Sequence, residues 1–175
     1  YGKTAFMNAC LLGHTDVVQL LLNYSGIDLN ARDELGSTAI MIACIEGHKD
    51  VVQLLLDHSE GYIELNARCD FGQTAFMLAC ESGHKDVVQL LLSYPEIVLN
   101  ARDENGSTAF MFACSNGHKD VLQVHLDYSN RGIDLNAKSH RGMTRGMTAF
   151  MIASHPKMLS EYSLTIQTKA LIRMQ

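Results

Sequence analysis

Apolar residues in this chain fall into short dense blocks separated by polar turns, and the blocks recur. Ala5–Leu11 is apolar except for Asn8, Gly13-His14 interrupts it, and Val17, Val18, Leu20, Leu21 and Leu22 follow with Gln19 as the polar break. The first block suits a short, well-covered helix. The second is apolar on two sides, so as a helix it needs a neighbour on each side. The polar stretch around Leu29-Asn30-Ala31-Arg32-Asp33 reads as a shaped turn, because Asn and Asp bond their own backbone. The predicted unit is therefore helix–turn–helix followed by an extended loop.

That unit repeats. GKTAFMNACLLGHTDVVQLLL from Gly2 returns as GSTAIMIACIEGHKDVVQLLL from Gly36, GQTAFMLACESGHKDVVQLLL from Gly72 and GSTAFMFACSNGHKDVLQVHL from Gly106. A fifth copy begins as GMTAFMIAS from Gly146 and then loses the pattern. Thr4, Thr38, Thr74, Thr108 and Thr148 mark a period of 34 to 40 residues, the range of helical repeat arrays. These threonines suit helix N-caps. Gly13, Gly47, Gly83 and Gly117 stand where a first helix should end in the left-handed conformation. Asp16, Asp50, Asp86 and Asp120 open the second helix, at the positive end of its dipole. The loop after the second unit is two residues longer around Gly61-Tyr62. The loop after the fourth holds a tandem duplication, Arg141-Gly142-Met143-Thr144 before Arg145-Gly146-Met147-Thr148.

This pattern resembles the ankyrin repeat: Thr-x-Leu-His-x-Ala, then Gly-His-x-x-Val-Val-x-Leu-Leu-Leu, then Asp-x-Asn-Ala-x-Asp-x-x-Gly. The resemblance covers about residues 1–154 and implies an all-α ankyrin-repeat solenoid. The expected units are about 1–35, 36–71, 72–105 and 106–145, a partial one at 146–154, and a diverged cap or tail at 155–175. Since the chain opens with Tyr1 inside a repeat, it reads as an internal piece of a longer protein. The chain departs from the family pattern where Ala5, Phe6 and Met7 stand for the usual Pro, Leu and His. The hydrogen bonds of that His give way to a column of methionines, Met7, Met41, Met77, Met111 and Met151. His125 is a second departure, at the position of Leu21, Leu55 and Leu91. A buried imidazole there needs a partner.

Charge narrows the function. Residues 1–130 carry 7 Lys and Arg against 17 Asp and Glu, while residues 131–175 carry 7 against 2. An acidic body argues against nucleic-acid binding, which uses cations to neutralise phosphates. No apolar run approaches the ~20 residues that cross a bilayer, and no signal peptide is evident. The expected protein is a cytoplasmic monomer, or part of a longer chain, with a protein partner.

Two residue columns imitate chemistry. Cys10, Cys44, Cys80 and Cys114 recur one per unit, about 8–10 Å apart if one helix layer separates them. That is too far for a disulfide, whose Cα atoms lie roughly 4.4–6.8 Å apart. Cys69 stands apart in a loop and is expected to be exposed and reactive. His14, His48, His84 and His118 form a ladder that cannot converge on one metal ion. No phosphate loop, nucleophile elbow or zinc-protease run is present. Neither catalytic residue, metal nor cofactor is expected.

Positions that differ between units are the candidate contacts, since stacking does not fix them. At the ends of the first helices these are Leu11 and Leu12, Ile45 and Glu46, Glu81 and Ser82, and Ser115 and Asn116. At the loop tips they are Glu34, Leu35 and Ser37, then Asp70, Phe71 and Gln73, then Glu104, Asn105 and Ser107. The family resemblance places these on a concave face and its finger tips, with Leu11, Leu12, Leu35, Ile45 and Phe71 as an apolar patch. It also implies a modification: Leu22, Asp28, Leu29 and Asn30 match the spacing of an asparaginyl hydroxylation motif, with Asn30 the acceptor. The alternative is that Asn30 only braces its turn. Two other readings of the whole chain stay open, a spacer in a longer array and a regulatory module of a multidomain protein.

Overall fold

A computed structural model describes residues 2–58 and 62–139. They fold into four helix pairs: α1 (Ala5–Leu11) with α2 (Thr15–Leu22), α3 (Ala39–Glu46) with α4 (Lys49–Asp57), α5 (Ala75–Ser82) with α6 (Lys85–Leu92), and α7 (Ala109–Ser115) with α8 (Lys119–Asp127). A short 3-10 turn, Ser129–Arg131, follows. The odd-numbered helices stack in one column and the even-numbered helices in a second, each pair packing within its unit. This is the all-α stack that the period requires, and no strand accompanies it among the described residues. The fifth unit, the tandem duplication and the tail at 155–175 lie outside the described residues.

Each pair is closed by local bonds the sequence encodes. Thr4, Thr74 and Thr108 cap α1, α5 and α7 by accepting from the backbone N–H of Met7, Met77 and Met111. Thr38 holds the same place on α3, with a hydroxyl that is buried and unpaired. Gly47 and Gly83 end α3 and α5 at φ 76° and 81°, the left-handed backbone that only glycine adopts without strain. The next unit's histidine comes so close there that a Cβ would collide with its ring. The imidazoles form a ladder: Nε2 of His48, His84 and His118 donates to the carbonyls of Leu11, Ile45 and Glu81 at 2.9, 2.8 and 2.8 Å. A carbonyl only accepts, so Nε2 carries the proton in all three. The methionine column is buried in the described units, as expected, and the inter-repeat bonds come from this other histidine column.

Two more ladders cross the units on the loop side. Asn30 donates from Nδ2 to the Tyr62 carbonyl (2.6 Å) and accepts from the Glu64 N–H (2.9 Å). Asn66 and Asn100 repeat this with Glu96 and Val98, and with Gly132 and Asp134. Arg32, Arg68 and Arg102 each donate to the carbonyl of the corresponding residue one unit on. Between the columns lie Val18, Val52 and Val88, fully buried, with Leu55, Leu91 and the first-helix side chains. On α2 the outer face differs: Val17 and Leu20 are exposed, whereas Val51 and Val87 are buried and Leu54 and Leu90 half-buried. The stack covers α2 on one side and the interior helices on two.

Cys69 overturns an expectation. It is buried rather than exposed, because it fills the place that Asp33 and Asp103 take at the base of their turns. Its N–H bonds the Gln73 carbonyl as theirs bond Ser37 and Ser107. All five cysteines are free and buried. Burial pushes the Cys10 thiol up to about 12 and that of Cys114 to about 11, and raises Cys44 and Cys80 well above the usual thiol range. None of these four is a thiolate at neutral pH, so none is a ready nucleophile.

Candidate functional site

The variable positions sit where two local structures end: the last turn of each first helix and the tip of each loop. Two of the three loop tips are braced by an aspartate visible in the sequence. Asp33 Oδ1 accepts from the N–H groups of Leu35 and Ser37 at 2.9 and 2.8 Å, and Asp103 does the same for Asn105 and Ser107. Neighbouring tips are tied by backbone, Asp70 N–H to Leu35 C=O and Glu104 N–H to Phe71 C=O. The three tips therefore form one continuous edge, bearing Glu34, Asp70 and Glu104 as exposed carboxylates and Leu35 and Phe71 as half-buried apolar side chains. Asn105 is exposed beside them.

The helix ends split into two groups. Leu12 and Glu46 are exposed, and Leu11, Ile45, Ser82 and Asn116 are half-buried. Glu81 and Ser115 are buried, as are Ser37, Gln73 and Ser107 at the base of the tips. Five of the candidate contacts are therefore internal. Ser37, Gln73 and Ser107 face inward because their backbone closes the turn. Ser115 returns its hydroxyl to the Phe112 carbonyl (3.0 Å). Gln73 and Glu81 bond each other, Nε2 to Oε2 at 2.6 Å, which satisfies two polar groups that burial would otherwise penalise. The Glu81 carbonyl accepts from His118 and from Asn116 Nδ2 (3.1 Å), so this pair also pins the fourth unit. Comparing units finds variable positions and cannot separate variation that faces a partner from variation that repacks a seam.

Phe71 and Ile45 pack against the core with part of each side chain left open, and Leu11 does likewise. The apolar component of the edge is thus partly shared with the fold. Tyr62 is not among the positions that comparing units singles out, yet at 83 % exposure it is the most open large apolar side chain among the described residues. Its signal is the longer second loop. With Tyr24, His58 and Asn30 it lines a cavity of about 350 Å³ beside the first loop. Asn30 lies there with its carboxamide bonded to Tyr62 and Glu64 of the next unit's loop.

Among the described residues, no cluster of His, Cys, Asp and Glu could hold a metal ion, and no helix is long and apolar enough to cross a membrane. A family model described as ankyrin repeats, in three copies, matches residues 1–68 and 62–139. No curated protein matches the chain.

Proposed function

The chain belongs to the ankyrin repeat family, and from that premise we propose that it is a non-catalytic, protein-binding scaffold whose partner lies along the loop-tip edge and the first-helix ends. Ankyrin repeats are generally protein-interaction modules. The observation that carries the finer reading is the edge itself. Loop tips tied backbone to backbone present Glu34, Leu35, Asp70, Phe71 and Glu104 in fixed order, and a preformed surface loses little entropy on binding. The contact set is then Glu34, Leu35, Ile45, Glu46, Asp70, Phe71, Ser82, Glu104, Asn105 and Asn116. Leu35, Ile45 and Phe71 supply the apolar anchors, and the carboxylates favour a partner with basic side chains around them. Five buried, unpaired thiols support a reducing compartment such as the cytoplasm.

A second reading, a spacer in a longer array, draws on α2. Its exposed Val17 and Leu20 are the counterparts of side chains that the interior units cover. The two readings part in an affinity capture that compares the parent with the Leu35→Ser, Ile45→Ser, Phe71→Ala variant, checked for an unchanged helical spectrum. The scaffold reading expects a partner held by the parent and weakened at least about tenfold in the variant, since truncating one anchor commonly costs more than about 1 kcal/mol. Equal capture by both proteins sinks it.

A further inference from the structure

His125 is the least expected side chain in the stack. It stands on α8 where α4 and α6 place Leu55 and Leu91, and it is equally buried, at 1 % exposure. Its ring lies between two others, with centroids 5.5 Å from Phe76 on α5 and 5.6 Å from Phe110 on α7. Nδ1 is 3.0 Å from the Val121 carbonyl, which only accepts, so Nδ1 carries the proton. Nε2 faces the Cys80 sulfur at 3.8 Å. In the neutral ring Nε2 is an acceptor, and the Cys80 thiol is its donor. Both nitrogens are thus satisfied in the neutral form alone.

A second proton on Nε2 would have only the sulfur, a weak acceptor, in front of it, and the charge would be held away from water. No carboxylate stands ready to pair with it among the described residues. Glu81 on α5 is bonded to Gln73. Cys114 on α7 is a neutral thiol, and Arg131 in the 3-10 turn donates to the carbonyls of Leu92, Tyr94 and Pro95. Lys85, Asp86, Lys119, Asp120 and Asp127 on α6 and α8 are exposed.

We propose that His125 is an acid-operated release in the fourth unit: protonation of its imidazole drives the ring out from between Phe76 and Phe110 and loosens α8 from α5 and α7. Burial, opposed in part by the Val121 carbonyl, holds the folded group below its usual value of 6.5. The unfolded or opened unit therefore binds the extra proton first. Stability conferred by the neutral ring is fully present above the unfolded value and is lost as pH falls from there through the lower folded value. Each pH unit inside that window changes the closed-to-open ratio by up to about tenfold. The consequence for binding rests on the scaffold reading, since α7 and the tip bearing Glu104 and Asn105 lie in or beside this unit. The opening itself does not.

The test is amide exchange of the full chain at about pH 7.5 and about pH 5.5, with rates referred to an unstructured peptide of the same sequence and α4 as the internal reference. In the parent, α8 should lose protection relative to α4 by up to about tenfold at the lower pH. His125→Leu restores the residue of the other units and His125→Gln keeps a polar, non-titrating side chain; in each folded variant the ratio should be flat. An unchanged ratio in the parent overturns the proposal, as does an equal acid loss in a folded variant. Should neither variant fold, an imidazole NMR titration of the parent decides: a His125 midpoint at or above about 6.5 overturns the proposal, and a lower one supports it. Acid opening of α8 in a chain that captures no partner would leave this proposal standing and remove the scaffold reading.

Discussion

Phe76→Ala should destabilise the chain by about 3–5 kcal/mol, the usual cost of removing a buried aromatic ring and leaving its cavity. Phe76 is among the largest fully buried side chains and lies on α5, which packs against both α3 and α7. It also forms one wall of the His125 site. The array has no second layer with which to refill such a hole, because each unit touches only its neighbours. Urea unfolding followed by helical signal measures the effect, and the loss should concentrate at the seam between the third and fourth units. A cost below about 1 kcal/mol would mean that the seam relaxes around the cavity and that its packing is loose.

Gly83→Ala should cost about 2–4 kcal/mol although it adds only one methyl group. The left-handed backbone at φ 81° accounts for about 1–2 kcal/mol of that. The rest comes from contact: the new Cβ would lie 2.5 Å from His118 Nδ1, so the ring must move and give up its bond to the Glu81 carbonyl. Gly117, also left-handed at φ 70°, would place an added Cβ with nothing among the described residues within 4 Å of it. Gly117→Ala should therefore lose the strain term alone, and thermal melts of the two variants side by side separate strain from collision. Equal losses would show that the histidine ladder adds nothing to the glycine requirement.

Most of the fold is written locally in the sequence. Thr4, Gly47 and Asp86 each announce a helix boundary by a residue type whose physics is short-range, and the recurrence of the unit makes the boundaries consistent. What the sequence hides is anything decided by the neighbouring unit. Cys69 looks like a loop residue by its flanks and is buried because it substitutes for a turn aspartate. Gln73 and Glu81 look like surface variation and are bonded to each other inside the seam. Their spacing of eight residues spans a loop and a helix, so no single-element periodicity joins them. His125 is legible as a problem, a polar residue at a leucine position. Its solution, Cys80 and two rings, is not, since those partners are supplied by two other helices. The candidate edge is legible as a set of positions, and only the packing sorts the accessible ones from the internal ones.

Amide-exchange footprinting of the chain with and without its captured partner locates the binding surface. A partner seated on the tied loop tips and first-helix ends gives new protection at residues 34–37, 70–73 and 104–107 and at the ends of α1, α3, α5 and α7, with the outer faces of α2, α4, α6 and α8 unchanged. Protection confined to the even-numbered helices, with the loop tips unaffected, would place the partner elsewhere and overturn the scaffold reading.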